Sequence, residues 1–177
     1  MNVLITGGSG FIGTNLVEYY AQLGDRVVNV DVASPRNQAH AQYWTQLDIR
    51  DARSLLKVVE DFSPNLIFHM AARTDLDGRS IADYSANTDG VKAAIEAARK
   101  GTQLHRAIFA SSMLVCALGC LPKDEFDYCP TTRYGESKVL GERYVRELAG
   151  ERLPWTIVRP TSLWGPWFSV PYKNFFE

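Results

Sequence analysis

The sequence predicts a doubly wound α/β fold, a parallel sheet with helices on both faces. Three observations point there. Short β-rich runs alternate with longer amphipathic stretches along the 177-residue chain. Several of the short runs are almost continuously apolar, as parallel strands buried on both faces must be. A glycine-rich turn, Gly7-Gly8-Ser9-Gly10-Phe11-Ile12-Gly13, joins the first run to the first helical pattern.

Strands are expected at residues 2–6, 26–30, 43–47, 66–69, 106–110 and 156–159, with the second, fourth, fifth and sixth the most apolar. In the first helix Ile12, Leu16, Tyr19 and Leu23 share one face, expected to meet the core, and Gly24 supplies a left-handed stop. Asp51 is placed to cap a helix that buries Leu55, Val58, Val59 and Phe62. A long helix starting near Ser80 is striped by Ile81, Tyr84, Val91, Ala94, Ile95 and Ala98. Another, from about Thr132 to Ala149, is striped by Leu140, Tyr144, Val145 and Leu148. Right-handed crossovers connect such units. Residues 121–132, with Pro122 and Pro130, read as a surface loop.

Composition removes some function classes. With 46% hydrophobic and 22% charged residues the chain reads as a folded globular protein rather than a disordered one. A net charge of −1 gives no electrostatic case for nucleic acid or an anionic membrane. The opening Met1-Asn2-Val3-Leu4-Ile5-Thr6 lacks the charged start and long apolar run of a secretory leader. No run reaches the ~18 apolar residues of a spanning helix. Cys116, Cys120 and Cys129 are odd in number, and Cys116 and Cys120 have no nearby Cys or His pair to complete a zinc site. Free thiols in a reducing cytoplasm are therefore expected.

The glycine turn fits both a GxGxxG reading (Gly8, Gly10, Gly13) and a GxxGxxG reading (Gly7, Gly10, Gly13). Either way the glycines permit a tight turn, close backbone approach to a pyrophosphate and close packing of helix on strand. The helix opening at Phe11 and Ile12 points its free N–H groups at the phosphates. Asp31 ends the second strand 18 residues beyond Gly13, near the position of the carboxylate that takes a ribose hydroxyl pair. These features read as a Rossmann dinucleotide site. A carboxylate there repels a 2′-phosphate and favours NAD over NADP, although Arg36 stands nearby.

Tyr134-Gly135-Glu136-Ser137-Lys138 puts a phenol and an ammonium four residues apart on one helical face. That spacing recurs by chance. It gains meaning from Ser111-Ser112, just past the fifth strand, because ligands of parallel sheets bind at the strands' carboxyl ends. The glycine turn, Asp31, His69 to Ala72, Ser111-Ser112 and Pro160 all fall on that rim. Hydride removal from a secondary alcohol needs its proton to leave as well. Tyrosine titrates near 10, and a neighbouring lysine cation and a positive nicotinamide would lower it. Tyr134 is then the acid/base, Lys138 the electrostatic tuner and ribose anchor, and Ser112 the group that orients the substrate oxygen.

With these motifs in this order the chain resembles the extended short-chain dehydrogenase/reductase family, in its NAD-dependent epimerase/dehydratase branch. Asp48-Ile49-Arg50-Asp51, Asn87 and the run Arg159-Pro160-Thr161-Ser162-Leu163-Trp164-Gly165-Pro166 join the match. The resemblance implies the sheet order 3-2-1-4-5-6. It places Asp48 and Ile49 at the adenine, Ala71 and Ala72 on the diphosphate–ribose path, and Pro160 near the nicotinamide. Asn87 would steady the active-site helix; satisfying buried backbone is its other reading. Asp48 could equally punctuate a strand end, and His69 is given no chemistry. Val115-Cys116-Ala117 stands where the family often has Val-Tyr-Gly, and Ser162 where it often has Asn. Met113-Leu114 stands where sugar 4,6-dehydratases carry an Asp-Glu pair, which disfavours dehydration.

The resemblance further implies a domain at 1–166 that binds NAD, with 167–177 the start of a carboxyl-terminal substrate domain, so that these residues alone turn over little. Its expected activity is epimerisation of a nucleotide sugar by transient hydride transfer. One-way reduction or oxidation of a keto-sugar or other carbonyl is the alternative, and a nicotinamide-sensing module without turnover the third reading. A homodimer built on residues 80–100 and 132–149 is implied as well, with no metal.

Overall fold

The computed structural model of the chain describes residues 1–168. Six parallel strands form one sheet: β1 (Asn2–Thr6), β2 (Arg26–Asp31), β3 (Trp44–Gln46), β4 (Leu66–His69), β5 (Arg106–Ala110) and β6 (Trp155–Val158). Their order across the sheet is β3-β2-β1-β4-β5-β6, the Rossmann order. Four α-helices connect them: α1 (Phe11–Gln22), α2 (Ala52–Phe62), α3 (Ser85–Ala98) and α4 (Arg133–Leu148). The strands end nearly level. Thr6 lies beside Val30 and His69, His69 beside Phe109, and Ala110 beside Val158. That alignment puts Gly7, Met70, Ser111 and Arg159 along one rim.

The β1 side chains alternate between two cores. Leu4 joins Leu55, Val59, Ile95 and Val145 under α2, α3 and α4, whereas Val3 and Ile5 pack with Val17 under α1. Local chemistry sets the helix starts. Asp51 accepts from Ser54 N at 3.1 Å and Thr132 accepts from Gly135 N at 3.0 Å. Ser80 and Asp83 form a capping box on a short helical turn, Ile81–Tyr84, that runs into α3.

Two expected stripes meet the core only in part, through Leu16 in α1 and through Tyr144 and Val145 in α4. In α1 the buried positions are Gly13, Thr14 and Val17, while Tyr19 and Leu23 are more than half exposed. Small residues win because α1 sits close on the glycine turn: a Cβ at Gly13 would lie 2.1 Å from the Gly7 carbonyl oxygen. Ile12, Leu16 and Tyr19 of the expected face line an open cleft of about 800 Å³ shared with Leu163, Trp164, Pro166 and Trp167. In α4 the buried face runs through Tyr134, Ser137, Lys138, Gly141, Glu142 and Val145, and Leu148 is exposed.

The cysteines also differ from expectation. Cys120 is bonded to Cys129 and only Cys116 is a free thiol. A parallel bridge between Cys116 and Cys129, with Cys129 N donating to Val115 O at 3.1 Å, folds the intervening loop back on itself. Spacing along the chain did not reveal that return. Residues 121–126 of the loop are exposed, as expected, and the run from Lys173 to Glu177 lies outside the described residues.

Candidate active site and cofactor cradle

The glycine turn is drawn tight by backbone bonds, Gly7 N to Val30 O at 2.8 Å and Gly10 N to Gly7 O at 3.0 Å. Gly7 adopts φ +73°, and a Cβ there would stand 2.5 Å from Ala71 N. Only glycine fits. At Gly10, by contrast, a Cβ would meet only the Gly7 carbonyl oxygen, at 3.2 Å, so the space in front of α1 is open. Gly10 is the helix N-cap and brings no side chain to the N–H groups that follow, including those of Phe11 and Ile12. This cradle fits an anion held by backbone, as a dinucleotide's pyrophosphate would be.

Asp31 accepts from Ser9 N at 3.0 Å through one oxygen and from Ala33 N at 2.9 Å through the other. Each oxygen keeps acceptor capacity for a hydroxyl. Arg36 is committed to backbone, donating to Ser9 O at 3.2 Å and to Trp167 O at 2.7 Å. Two residues expected on the adenine path are otherwise engaged. The Asp48 carboxylate is gripped by Arg50, which holds it below the usual carboxylate range. The Ile49 side chain is buried in the core and would meet a Cβ at Gly90 at 2.5 Å, so only its backbone is placed to meet a ligand. Ala71 N is 3.3 Å from the Thr6 hydroxyl, which also bonds the His69 ring.

The catalytic candidates converge. Ser112, Tyr134 and Lys138 are each at most 9% exposed. Ser112 caps the helical turn after β5, accepting from Leu114 N at 3.1 Å, and Met113 N donates to Pro160 O at 3.0 Å. Pro160 thus abuts the Ser112 turn. Burial pushes the Tyr134 phenol above its usual range, with the Ser112 hydroxyl pulling the other way. Lys138 Nζ stands 5.8 Å from the centre of the Tyr134 ring and donates to Ala110 O at 3.0 Å. Burial draws the ammonium down to about 8, partly resisted by Glu142. The expected acidification drew on the lysine and a positive nicotinamide together; in the protein by itself, burial disfavours the charged phenolate and prevails.

Asn87 ties the parts together. It accepts from Arg73 N at 2.8 Å, donates to Arg73 O at 2.9 Å, and donates to Ser137 Oγ at 2.9 Å, between the candidates Tyr134 and Lys138 on α4. Both readings of Asn87 are thereby realised. Sequence reasoning missed Glu142. Its carboxylate accepts from Ser111 Oγ at 2.5 Å, Tyr128 OH at 2.8 Å, and Arg159 Nε at 2.8 Å. Burial pushes it up, but the bonds from Arg159, Ser111 and Tyr128 prevail and hold it below the usual range. The signal was available, since Glu142 lies four residues after Lys138 on the same helical face. His69 was rightly read as packed; burial, then the Lys138 charge, lower it to about 3, and its Nε2 has no partner among the described residues.

A parallel Rossmann sheet with a glycine cradle and a buried Ser, Tyr and Lys at its rim is the architecture of a dinucleotide-binding protein. The sequence matches the NAD dependent epimerase/dehydratase family over residues 3–175, and the chain belongs to that family. It is 29% identical to a 3-beta-hydroxysteroid dehydrogenase of Mycolicibacterium neoaurum, over 99% of this chain and 51% of the relative. It is similar in structure to a UDP-glucose 4-epimerase of Thermotoga maritima solved with UDP-glucose, at TM-score 0.78 and 26% identity, covering 90% of this chain and 55% of that one. A UDP-glucose 4-epimerase of Brucella ovis in complex with NAD matches at TM-score 0.76 and 28% identity, covering 89% and 51%. The chain spans about half the length of the curated relatives it matches. Among the described residues no helix is long and apolar enough to cross a membrane.

Proposed function

We propose that this chain carries the cofactor cradle and acid/base centre of an NAD-dependent nucleotide-sugar epimerase-type oxidoreductase. The observation that carries the reading is the joint burial of Ser112, Tyr134 and Lys138 at the end of β5, on the same rim as the glycine cradle. NAD is supported by Asp31, by the commitment of Arg36, and by the NAD found with the Brucella relative. When bound, NAD supplies the acceptor that takes a hydride from the sugar carbon and returns it. The N–H groups of Phe11 and Ile12 hold the diphosphate, with Gly7, Gly10 and Gly13 shaping the turn and leaving it open; Asp31 takes the adenosine ribose, and Asp48, the Ile49 backbone, Ala71, Ala72 and Pro160 flank the remaining path.

Ser112 Oγ orients the sugar oxygen, and Tyr134 Oη accepts that oxygen's proton and gives it back. In the protein alone the phenol stays neutral, which suits the acid half-step. The base half-step needs positive charge beside it, from Lys138 and the oxidised cofactor. Met113 and Leu114 beside Ser112 offer no proton, which speaks against 4,6-dehydration. A one-way dehydrogenase is the second reading, favoured by the likeness to a hydroxysteroid dehydrogenase.

The test joins these residues to a carboxyl-terminal substrate domain, supplies NAD and a panel of nucleotide sugars, and follows both epimer formation and net NADH. Epimer without net NADH supports the first reading, and NADH accumulation the second. Tyr134→Phe is expected to lower either rate about 10²- to 10⁴-fold. A variant with unaltered turnover would refute the acid/base role.

A further inference from the structure

The three cysteines lie outside the machinery just described, yet the fold gathers them. The sulfurs of Cys116, Cys120 and Cys129 all lie within 4.8 Å of one another, and all three residues are half-buried. Two separate segments bring them together: the stretch following the Ser112 turn and the stretch leading into α4, joined by the Cys116–Cys129 bridge. Cys116 Sγ also donates to Asp127 O at 3.5 Å, so a carbonyl oxygen stands beside the cluster.

We propose that the reduced chain binds one thiophilic metal ion of the Zn²⁺ type through the thiolates of Cys116, Cys120 and Cys129. Thiolates are soft donors that select such ions over Mg²⁺ or Ca²⁺. Zn–S bonds of about 2.3 Å place tetrahedral sulfurs about 3.8 Å apart, so the distances to Cys116 need close by at most about 1 Å, while Cys120 and Cys129, once reduced, move apart from bonding distance to the same spacing. Three protein ligands leave one position, which water or the Asp127 carbonyl fills. The chemistry balances in two steps. A phosphine supplies two electrons to open the Cys120–Cys129 bond and leaves as its oxide, taking the oxygen of one water whose two protons go to the two sulfurs. The metal then replaces the three thiol protons, with no change in its own oxidation state.

The site bears on the reaction centre by position. Cys116 N donates to Met113 O at 3.0 Å, so Cys116 closes the turn that Ser112 caps, and Cys129 precedes Tyr134 by five residues. A metal here pins the segment bearing Ser112 to the segment entering α4.

The experiment titrates the phosphine-reduced full chain with Co²⁺ alone, then adds Zn²⁺. One equivalent of Co²⁺ should produce a thiolate-to-cobalt charge-transfer band and tetrahedral visible bands, both abolished by Zn²⁺. Cys116→Ser, which keeps the Cys120 and Cys129 pair, should weaken binding at least tenfold, and Cys120→Ser should do the same. Thermal midpoints of both variants without metal identify any that fail to fold, and Cd²⁺ replaces Co²⁺ as probe for the variant that does fold. Absence of the band in the reduced chain, affinity unchanged in Cys116→Ser, or a Cys120–Cys129 bond that mass spectrometry shows to survive the phosphine would each overturn the proposal.

Discussion

Lys138 is a cation held where cations are costly. It is buried, its ammonium donates to the Ala110 carbonyl, and burial draws it down to about 8. In the unfolded chain a lysine titrates near 10.4. Between those two values the unfolded chain binds more protons than the folded one, so stability rises with pH, by up to about 1.4 kcal/mol per unit. Lys138→Met should lose that rise and be no less stable than the parent at pH 7, while turnover falls. Denaturant unfolding at several pH values from 7 to 10 checks this; a variant that keeps the full rise would assign it to another group. Spacing alone could not show how burial moves the titration of Tyr134 and Lys138. Tyr134 and Lys138 are four apart, but the sequence did not show that both would be buried, nor that the ammonium would turn to a backbone carbonyl.

Among the elements, α4 carries most of the chemistry and the least legible pattern. Its boundaries followed from the sequence, and the structure adds the Thr132 cap. Its buried face was expected only at Val145, because most of the rest consists of Tyr134, Ser137, Lys138 and Glu142, polar residues that a hydrophobic stripe overlooks, and small Gly135 and Gly141. Glu142 is the pivot, joining Ser111 after β5, Tyr128 in the loop and Arg159 at the end of β6. Glu142→Gln leaves the Arg159 guanidinium without its counter-charge. A loss of about 3–5 kcal/mol is expected from breaking such a pair by removing one member. Equilibrium unfolding measures it, and a loss under about 1 kcal/mol would show the pair to be well solvated. In α1 the decisive residue is Gly13. Gly13→Ala must push the Gly7 carbonyl from 2.1 Å, which should cost about 1–3 kcal/mol of stability and weaken NAD binding at least tenfold. Calorimetric titration with NAD provides the check.

For the whole molecule, the alternation of apolar runs and helical patterns predicted a parallel sheet and every strand to within a residue or two, while the order of the strands followed from the family resemblance. Parallel strands buried on both faces announce themselves, but periodicity carries no information on which strand lies beside which. What stayed hidden depends on returns of the chain in space. Cys129 comes back to Cys116 through a loop, and Trp167 comes back to Arg36 after six strands. No local periodicity encodes either.

That last contact has a consequence for cofactor choice. Arg36 already spans the Ser9 and Trp167 carbonyls, and the Trp167 indole N–H reaches Glu18 at 3.4 Å. A phosphorylated ribose would meet Asp31 first and could recruit the guanidinium only by unfastening this strap. Tryptophan emission should accordingly stay nearly steady when NAD is added and shift with NADP, which binds at least tenfold more weakly. The indole would then serve as an internal gauge of which coenzyme has entered, and a shift of equal size with both coenzymes would show that Arg36 does not discriminate.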